Sequence, residues 1–176
     1  LKLNIKLSDK LEEIDKIIIE TQEPGMRIIS KEGPLTNYAD RDHCIEYIVV
    51  WCLLNGILDS DSYSDDSASD PRIDALREKT TTLENKKYTE IYYDLNHRAI
   101  PNKVIVKLNS GEEFEEEILY PLGHKKRRDE ATSFLREKFI NSMDNIDLNK
   151  DKLIDFYDID DLDSINIYKI LENITK

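Results

Sequence analysis

A charged entrance to a long apolar run is the feature that most constrains how this chain can fold. Residues 39–54 begin as ADRDHC and continue as IEYIVVWCLL, which predicts one long helix from about Asp40 that is buried on most of its sides. Asp40 and Asp42 suit a helix start, because carboxylates cap free backbone N–H groups and complement the helix dipole. Arg41 and His43 do not suit it, since a cation there is mildly unfavourable. We expect these two side chains to face a carboxylate of a neighbouring residue or of a ligand.

Length and composition predict one soluble domain. A chain of 176 residues with 39% hydrophobic residues can bury a full core. No apolar run approaches the roughly 20 residues that a membrane helix needs, and no signal-peptide pattern opens the chain. Cys44 and Cys52 lie too far apart along the predicted helix to form a disulfide bond with each other. We therefore expect free thiols, a reducing compartment and a cytoplasmic protein.

The net charge limits the partners that the chain can bind. A formal charge of −12 argues against nucleic acid and against an anionic membrane surface, because both need a broad basic face. The same charge is unfavourable for an anionic small molecule. A site for a di- or tricarboxylate would need a local pocket of arginine, lysine and histidine side chains.

The pattern of apolar and polar residues predicts an α+β fold. Residues 16–21 form a β-branched run of strand length, and residues 26–30 follow a Pro-Gly turn as a second strand or the start of a short helix. Residues 99–108 and 114–120 predict a hairpin around an Asn-Ser-Gly turn. Further helices are predicted at 70–79, 129–141, 152–157 and 164–173, and the Asp/Ser-rich residues 58–70 predict a loop with a short helix near Tyr63. Strands with segregated helices indicate a two-layer sandwich of a mostly antiparallel sheet and helices.

Three short sequence blocks resemble those of a known family. They are residues 39–47 (ADRDHCIEY), 70–79 (DPRIDALREK) and 120–128 (YPLGHKKRR), referred to below as the first, second and third block. In order and spacing they are similar to the C-terminal domain of the MmgE/PrpD family, to which 2-methylcitrate dehydratase belongs. The similarity runs from about Ile14 to Phe139.

The resemblance implies a domain organisation. Residues 1–145 would be the smaller α+β domain, which covers the active site as a lid, and residues 146–176 would be a helical extension of it. The larger, all-helical N-terminal domain, which supplies much of the active site, would be absent from this sequence. The resemblance also implies a homodimer.

Four residues are candidates for the site. His43 and Tyr47 are four apart on the predicted helix, so they would share one face and could transfer protons. The structural alternative is a capping histidine and a core tyrosine with a satisfied hydroxyl. The family that the blocks resemble includes a cis-aconitate decarboxylase branch. The resemblance implies that the hydroxyl of Tyr47 lies near the substrate. Arg41 and His124 are candidates for binding substrate carboxylates, whereas the basic residues 125–128 are expected at a domain or subunit interface.

We expect neither a metal nor an organic cofactor. The three histidines are scattered, and the sequence has no Cys-x-x-Cys or His-x-x-x-His spacing and no glycine-rich phosphate loop. His97 lies in a polar loop and is expected at the surface. The resemblance implies the same absence, because the family works without an iron–sulfur cluster or organic cofactor.

The leading functional hypothesis is dehydration of 2-methylcitrate to 2-methylaconitate by the parent protein, in propionate catabolism. By itself this chain is expected to be inactive. A second hypothesis keeps the fold and changes the reaction to epimerisation or decarboxylation of a related polycarboxylate. A third is a stand-alone domain for dimerisation or regulation.

Overall fold

The chain forms two compact units in a computed structural model. They are Leu1–Pro121 and Leu122–Lys176. The structure describes residues 2–142 together with Asp151, Asn166, Tyr168 and Glu172. The boundary predicted after residue 145 and the last two predicted helices lie outside the continuously described range, so they stay predictions.

A mixed four-stranded sheet lies at the centre of the described part of the first unit. Its strands are β1 (Ile14–Thr21), β2 (Thr80–Glu84), β3 (Asn102–Leu108) and β4 (Glu113–Ile118), in the spatial order β2-β1-β3-β4. The β1–β3 and β3–β4 pairs are antiparallel, and the β1–β2 pair is parallel. The predicted α+β fold is confirmed, and its sheet is mostly but not wholly antiparallel.

Helices connect and cover these strands. In the first unit they are α1 (Lys2–Leu7), α2 (Glu23–Ile29), α3 (Tyr38–Asp42), α4 (Ile45–Asn55), α5 (Asp65–Ala68), α6 (Pro71–Glu78) and α7 (Lys86–Tyr93). Short 3₁₀ turns lie at Leu11–Glu13 and Asp61–Tyr63. In the second unit a 3₁₀ turn at Lys125–Arg127 leads into α8 (Arg128–Ser142). No helix among the described residues is long and apolar enough to cross a membrane.

Local signals in the sequence account for several of these boundaries. Asp70 caps α6 by accepting a hydrogen bond from the backbone N–H of Arg72 at 2.9 Å, and Pro71 opens the helix, as predicted. The predicted hairpin is also confirmed. Its turn contains Gly111 with φ of 86°, a left-handed conformation that glycine adopts without strain.

Of the two alternatives predicted for residues 26–30, the short helix is confirmed and the strand is not, because residues 26–29 belong to α2. The expected Pro-Gly turn is itself the first turn of this helix, where proline is tolerated. A second predicted element differs from the structure. The single helix expected from Asp40 is two helices, because α3 ends at Asp42 and α4 begins at Ile45. Cys44 is extended between them, with φ of −126° and ψ of 106°. This conformation buries the thiol, whose sulfur lies 3.2 Å from a carboxylate oxygen of Glu46.

One hydrophobic core joins the sheet to the helices on one face. Its fully or largely buried members come from β1, β3, α1, α4, α6 and the residue before α4: Leu3, Leu7, Ile14, Ile17, Ile19, Cys44, Ile45, Tyr47, Val50, Leu53, Ile73, Leu76, Val106 and Leu108. Ile17 is 0% exposed and sits on the central strand β1, between Thr80 of β2 and Val106 of β3. The core therefore depends on β1 more than on any edge strand.

Replacing Ile17 tests this account of the core. We expect Ile17→Ala to lower the free energy of unfolding by about 2–5 kcal/mol, because it leaves a cavity at the centre of the sheet. Ile5→Ala is the control, since Ile5 is 68% exposed and its loss should change stability by less than about 0.5 kcal/mol. Urea unfolding followed by circular dichroism measures both. Equal effects of the two substitutions would contradict the account.

Candidate functional site

Arg41 is a buried cation that holds a loop. Its side chain is only 7% exposed, and one guanidinium nitrogen lies 2.8 Å from the backbone oxygen of Tyr63 and 2.8 Å from the carboxylate of Asp65. Arg41 therefore faces a neighbouring carboxylate, as predicted for this position. Both partners belong to the Asp/Ser-rich segment that follows α4.

Tyr47 binds the same segment. Its side chain is 2% exposed, and its hydroxyl donates a hydrogen bond to the backbone oxygen of Ser62 at 2.7 Å. Burial raises the pKa of Tyr47, although the nearby Arg41 opposes this shift, so the phenol stays protonated at neutral pH. The structure thus brings Arg41 and Tyr47 together on two adjacent carbonyl groups.

His43 does not share a helix face with Tyr47, which corrects the prediction. The helix is interrupted between them, and His43 is the C-cap residue directly after α3. Its imidazole is 60% exposed, and Nδ1 lies 2.5 Å from a carboxylate oxygen of Asp42. His43 and Tyr47 therefore do not lie on one face of one helix. Their roles in proton transfer stay predictions.

His124 lies in the second unit. Its Nδ1 accepts a hydrogen bond from the backbone N–H of Lys126 at 3.1 Å, so the side chain caps the 3₁₀ turn of the basic run. Within this run Arg127 pairs with Glu130 at 2.7 Å. His97, expected at the surface, is exposed and pairs with Asp94 at 2.8 Å.

A cleft that was not predicted from the sequence lies beside the edge strand β2. The cleft has a volume of about 670 Å³, within the range of small-molecule sites. Its lining comes from α2 and the chain after it, from α4, from α6 and from β2: Met26, Ser30, Lys31, Glu32, Gly33, Pro34, Glu46, Asp74, Arg77, Glu78, Thr80, Thr81 and Thr82. It therefore joins Glu46 of the first block to Asp74, Arg77 and Glu78 of the second.

Glu46 is a buried carboxylate at the base of this cleft and is 7% exposed. It accepts hydrogen bonds from the Ser30 hydroxyl at 2.6 Å, the Lys31 backbone N–H at 3.1 Å and the Thr82 hydroxyl at 2.5 Å. The Cys44 thiol is a further donor at 3.2 Å. Burial by itself raises the pKa of Glu46, but the donors from Ser30, Thr82 and Lys31 outweigh burial and hold the pKa below its usual range.

Arg77 also lines the cleft, with a side chain that is 10% exposed. Its guanidinium donates to the backbone oxygen of Gly33 at 3.0 Å and to the carboxylate of Asp74 at 3.0 Å. Its Nε is buried and has no hydrogen-bond partner among the described residues. Arg77 thus holds the chain after α2 at Gly33, whereas Glu46 holds it at Ser30 and Lys31.

The charges of the cleft limit what it can hold. Two cations line it, Lys31 and Arg77, against four carboxylates: Glu32, Glu46, Asp74 and Glu78. A tricarboxylate bound here would need further cations from outside this unit. Among the described residues, no group of three or more His, Cys, Asp or Glu side chains could hold a metal ion.

One signal in the sequence could have indicated the cleft. Glu46 is the only acidic residue in the apolar run of residues 45–54. A carboxylate on a buried helix requires donors from elsewhere in the fold. Its donors are far away in the sequence, so they could not be named in advance.

The α+β fold, together with the first and second blocks that line its cleft, is the basis for assigning the chain to a class of domain. The chain matches the MmgE/PrpD C-terminal domain over residues 1–154, so it belongs to that family. The 2-methylcitrate dehydratase of Yarrowia lipolytica, named as mitochondrial, is 50% identical over 135 residues, which cover 76% of this chain and 26% of the relative.

Other relatives give the same picture. A probable 2-methylcitrate dehydratase of Saccharomyces cerevisiae is 43% identical over 152 residues, covering 81% of this chain and 30% of the relative. The 2-methylcitrate dehydratase of Escherichia coli K12 is 46% identical over 128 residues, which cover 72% of this chain and 26% of the relative. The chain therefore spans less than a third of the length of these relatives.

The pH dependence of stability tests the role of Glu46. Because the pKa of Glu46 is lowered by folding, its charged form stabilises the fold above the ordinary glutamate pKa, and this contribution is lost as the pH falls. We expect Glu46→Gln to lower the free energy of unfolding by about 1–3 kcal/mol at pH 7, and by progressively less from about pH 5 to pH 3.

Glu78→Gln is the matched control, because Glu78 is an exposed glutamate of the same cleft. It should change stability by less than about 0.5 kcal/mol at every pH. Denaturant unfolding at a series of pH values measures the difference between each variant and the unsubstituted chain. A pH-independent effect of Glu46→Gln would contradict the proposed charge state.

Proposed function

We propose that this chain is the C-terminal domain of an enzyme that dehydrates 2-methylcitrate to 2-methylaconitate. The observation that carries the proposal is the 50% identity to a 2-methylcitrate dehydratase over 135 residues, which include residues of the first and second blocks. Relatives with this name occur in bacteria and fungi. Such an enzyme is a hydro-lyase.

The reaction sets chemical requirements. A proton leaves the carbon next to a carboxylate, the hydroxyl departs with a second proton as water, and a carbon–carbon double bond forms. A base, an acid and cations for the carboxylates are needed. The acidic surplus of the cleft supports the view that most of these cations belong to the remainder of a longer polypeptide, an N-terminal helical domain under this proposal.

We keep His43 and Tyr47 as candidates for proton transfer, and Arg41 and His124 as candidates for carboxylate binding. The Tyr47 hydroxyl can accept a hydrogen bond while it donates one to Ser62, which is compatible with a second contact. We also propose a cofactor-independent homodimer. A cytoplasmic location is supported by two free cysteines, and the mitochondrion is the alternative because the Yarrowia relative is named as mitochondrial.

The isolated chain provides a first test. We expect it to unfold in a single cooperative step yet show no turnover of 2-methylcitrate, because the cations and the second proton-transfer group are missing. The full-length parent polypeptide should be active in the same assay of product formation. Saturable activity of the 176-residue chain would contradict the division of the site between two domains.

A substitution of Tyr47 provides a second test. In the full-length parent, we expect Tyr47→Phe to lower kcat by a factor on the order of 10² to 10⁴, as for a positioned proton-transfer group. The loss of the bond to Ser62 should also lower the free energy of unfolding by about 1–3 kcal/mol.

Tyr63→Phe is the control, since the two rings stack with centroids 6.2 Å apart. It removes a hydroxyl next to Tyr47 and should leave kcat unchanged. If Tyr47→Phe reduces stability while kcat of the folded enzyme stays within a few-fold of the parent, Tyr47 is a structural residue and its catalytic assignment is wrong.

A further inference from the structure

An irregular segment between α2 and α3 is held by charged side chains. This segment, residues 30–37, is called the strap. Its first part, residues 30–34, lines the cleft. Leu35 packs against the hydrophobic core, whereas Glu32, Gly33, Pro34 and Thr36 are exposed. Burial of apolar side chains therefore fixes the strap at one residue, and the rest of the segment depends on polar contacts.

Glu46 holds the start of the strap. It accepts hydrogen bonds from the Ser30 hydroxyl and the Lys31 backbone N–H, and a third from Thr82 of β2. Because Glu46 is buried, these bonds form where competition from water is weak. The start of the strap is therefore fixed to both α4 and β2.

Asp40 holds the end of the strap. Its carboxylate accepts hydrogen bonds from the Thr36 backbone N–H at 3.3 Å, the Thr36 hydroxyl at 3.2 Å and the Asn37 side-chain amide at 2.9 Å. The Lys31 ammonium lies 3.5 Å from the same carboxylate group, so the two parts of the strap are linked across Asp40. The bond from the Thr36 backbone is the main reason why the pKa of Asp40 is lowered.

Arg77 holds the middle of the strap through the Gly33 carbonyl at 3.0 Å. Gly33 has φ of 80°, a left-handed conformation that other residues adopt only with strain. Asp40 and Glu46 belong to the first block and Arg77 to the second. Charged residues of two separate blocks therefore determine the position of one short exposed segment.

We propose that the strap is the part of this domain that contacts the substrate, and that Asp40, Glu46 and Arg77 are positioning residues for it. A loop fixed on a rigid scaffold at three points is the usual way to present functional groups accurately. The ligand is a hydroxylated polycarboxylate that occupies the cleft, with the strap as one wall and with further cations supplied by the rest of the longer polypeptide, because carboxylates outnumber cations in the cleft lining. The inference rests on the proposed function, which supplies the class of substrate.

Gly33→Ala is the most selective test. An added methyl group would meet no atom within 4 Å at Gly33, so any effect comes from the strap conformation alone. Gly111→Ala is the matched control: its φ is 86°, it also has no atom within 4 Å, and it lies in the β3–β4 turn, while β2 is at the opposite edge of the sheet.

The full-length parent is assayed with 2-methylcitrate at a temperature at which every variant is folded. We expect kcat/KM of Gly33→Ala to fall on the order of 10- to 100-fold, because a displacement of about 1 Å in a positioning element can cost that much. Gly111→Ala should stay within about twofold, since distant sites act independently. A purely structural role of the strap would lower the melting temperature in both variants and leave kcat/KM of the folded enzyme unchanged.

Arg77→Lys is the second variant, because lysine keeps the charge but cannot bridge Gly33 and Asp74 with a planar group. It should reduce kcat/KM in the same direction as Gly33→Ala. An active parent whose kcat/KM is unaffected by both substitutions would overturn the inference and leave the proposed function intact. A parent with no turnover of 2-methylcitrate would overturn the proposed function and, with it, the inference.

Discussion

The cleft depends on the hydrogen bonds that the carboxylate of Glu46 accepts. This carboxylate is buried at the start of α4 and receives donors from the segment after α2 and from β2. An unpaired buried carboxylate would be strongly unfavourable, so the fold is stable only when these elements converge on it. This convergence fixes the distance between the strap and the edge strand, and with it the width of the cleft.

Residues of the first block hold two different segments of the chain. Asp40 and Glu46 hold the strap, while Arg41 and Tyr47 hold the carbonyl groups of Tyr63 and Ser62. A block that resembles a catalytic motif is thus also a set of supports for two loops.

Much of the fold could be predicted from the sequence because its signals are local. The cap at Asp70 and the turn at Gly111 both act within a few residues. The strand β2 was missed, since a run of threonines has no apolar alternation and its partner β1 is about 60 residues earlier in the chain. The break at Cys44 was missed for a similar reason, because the thiol takes its position from contacts with Glu46 and the backbone of Lys31.

The candidate site was only partly predictable. The charged side chain of Arg41 was expected to meet a carboxylate, and it does so at Asp65. The cleft depends on donors at residues 30, 31 and 82 that meet only in the folded chain, so no spacing rule could identify it. Motif resemblance identified the family. The contacts of Asp40, Glu46 and Arg77 with residues 30–37 depend on the fold and could not be named from the motifs.

Amide hydrogen exchange at Lys31 tests the central claim most directly, because this backbone N–H donates to Glu46 from an otherwise irregular segment. The account predicts exchange at least about tenfold slower than in an unstructured peptide, as for a buried hydrogen bond. Glu46→Gln should remove this protection and Glu78→Gln should preserve it. Exchange of the Lys31 amide at the unstructured rate in the unsubstituted chain would contradict the claim that Glu46 holds the strap.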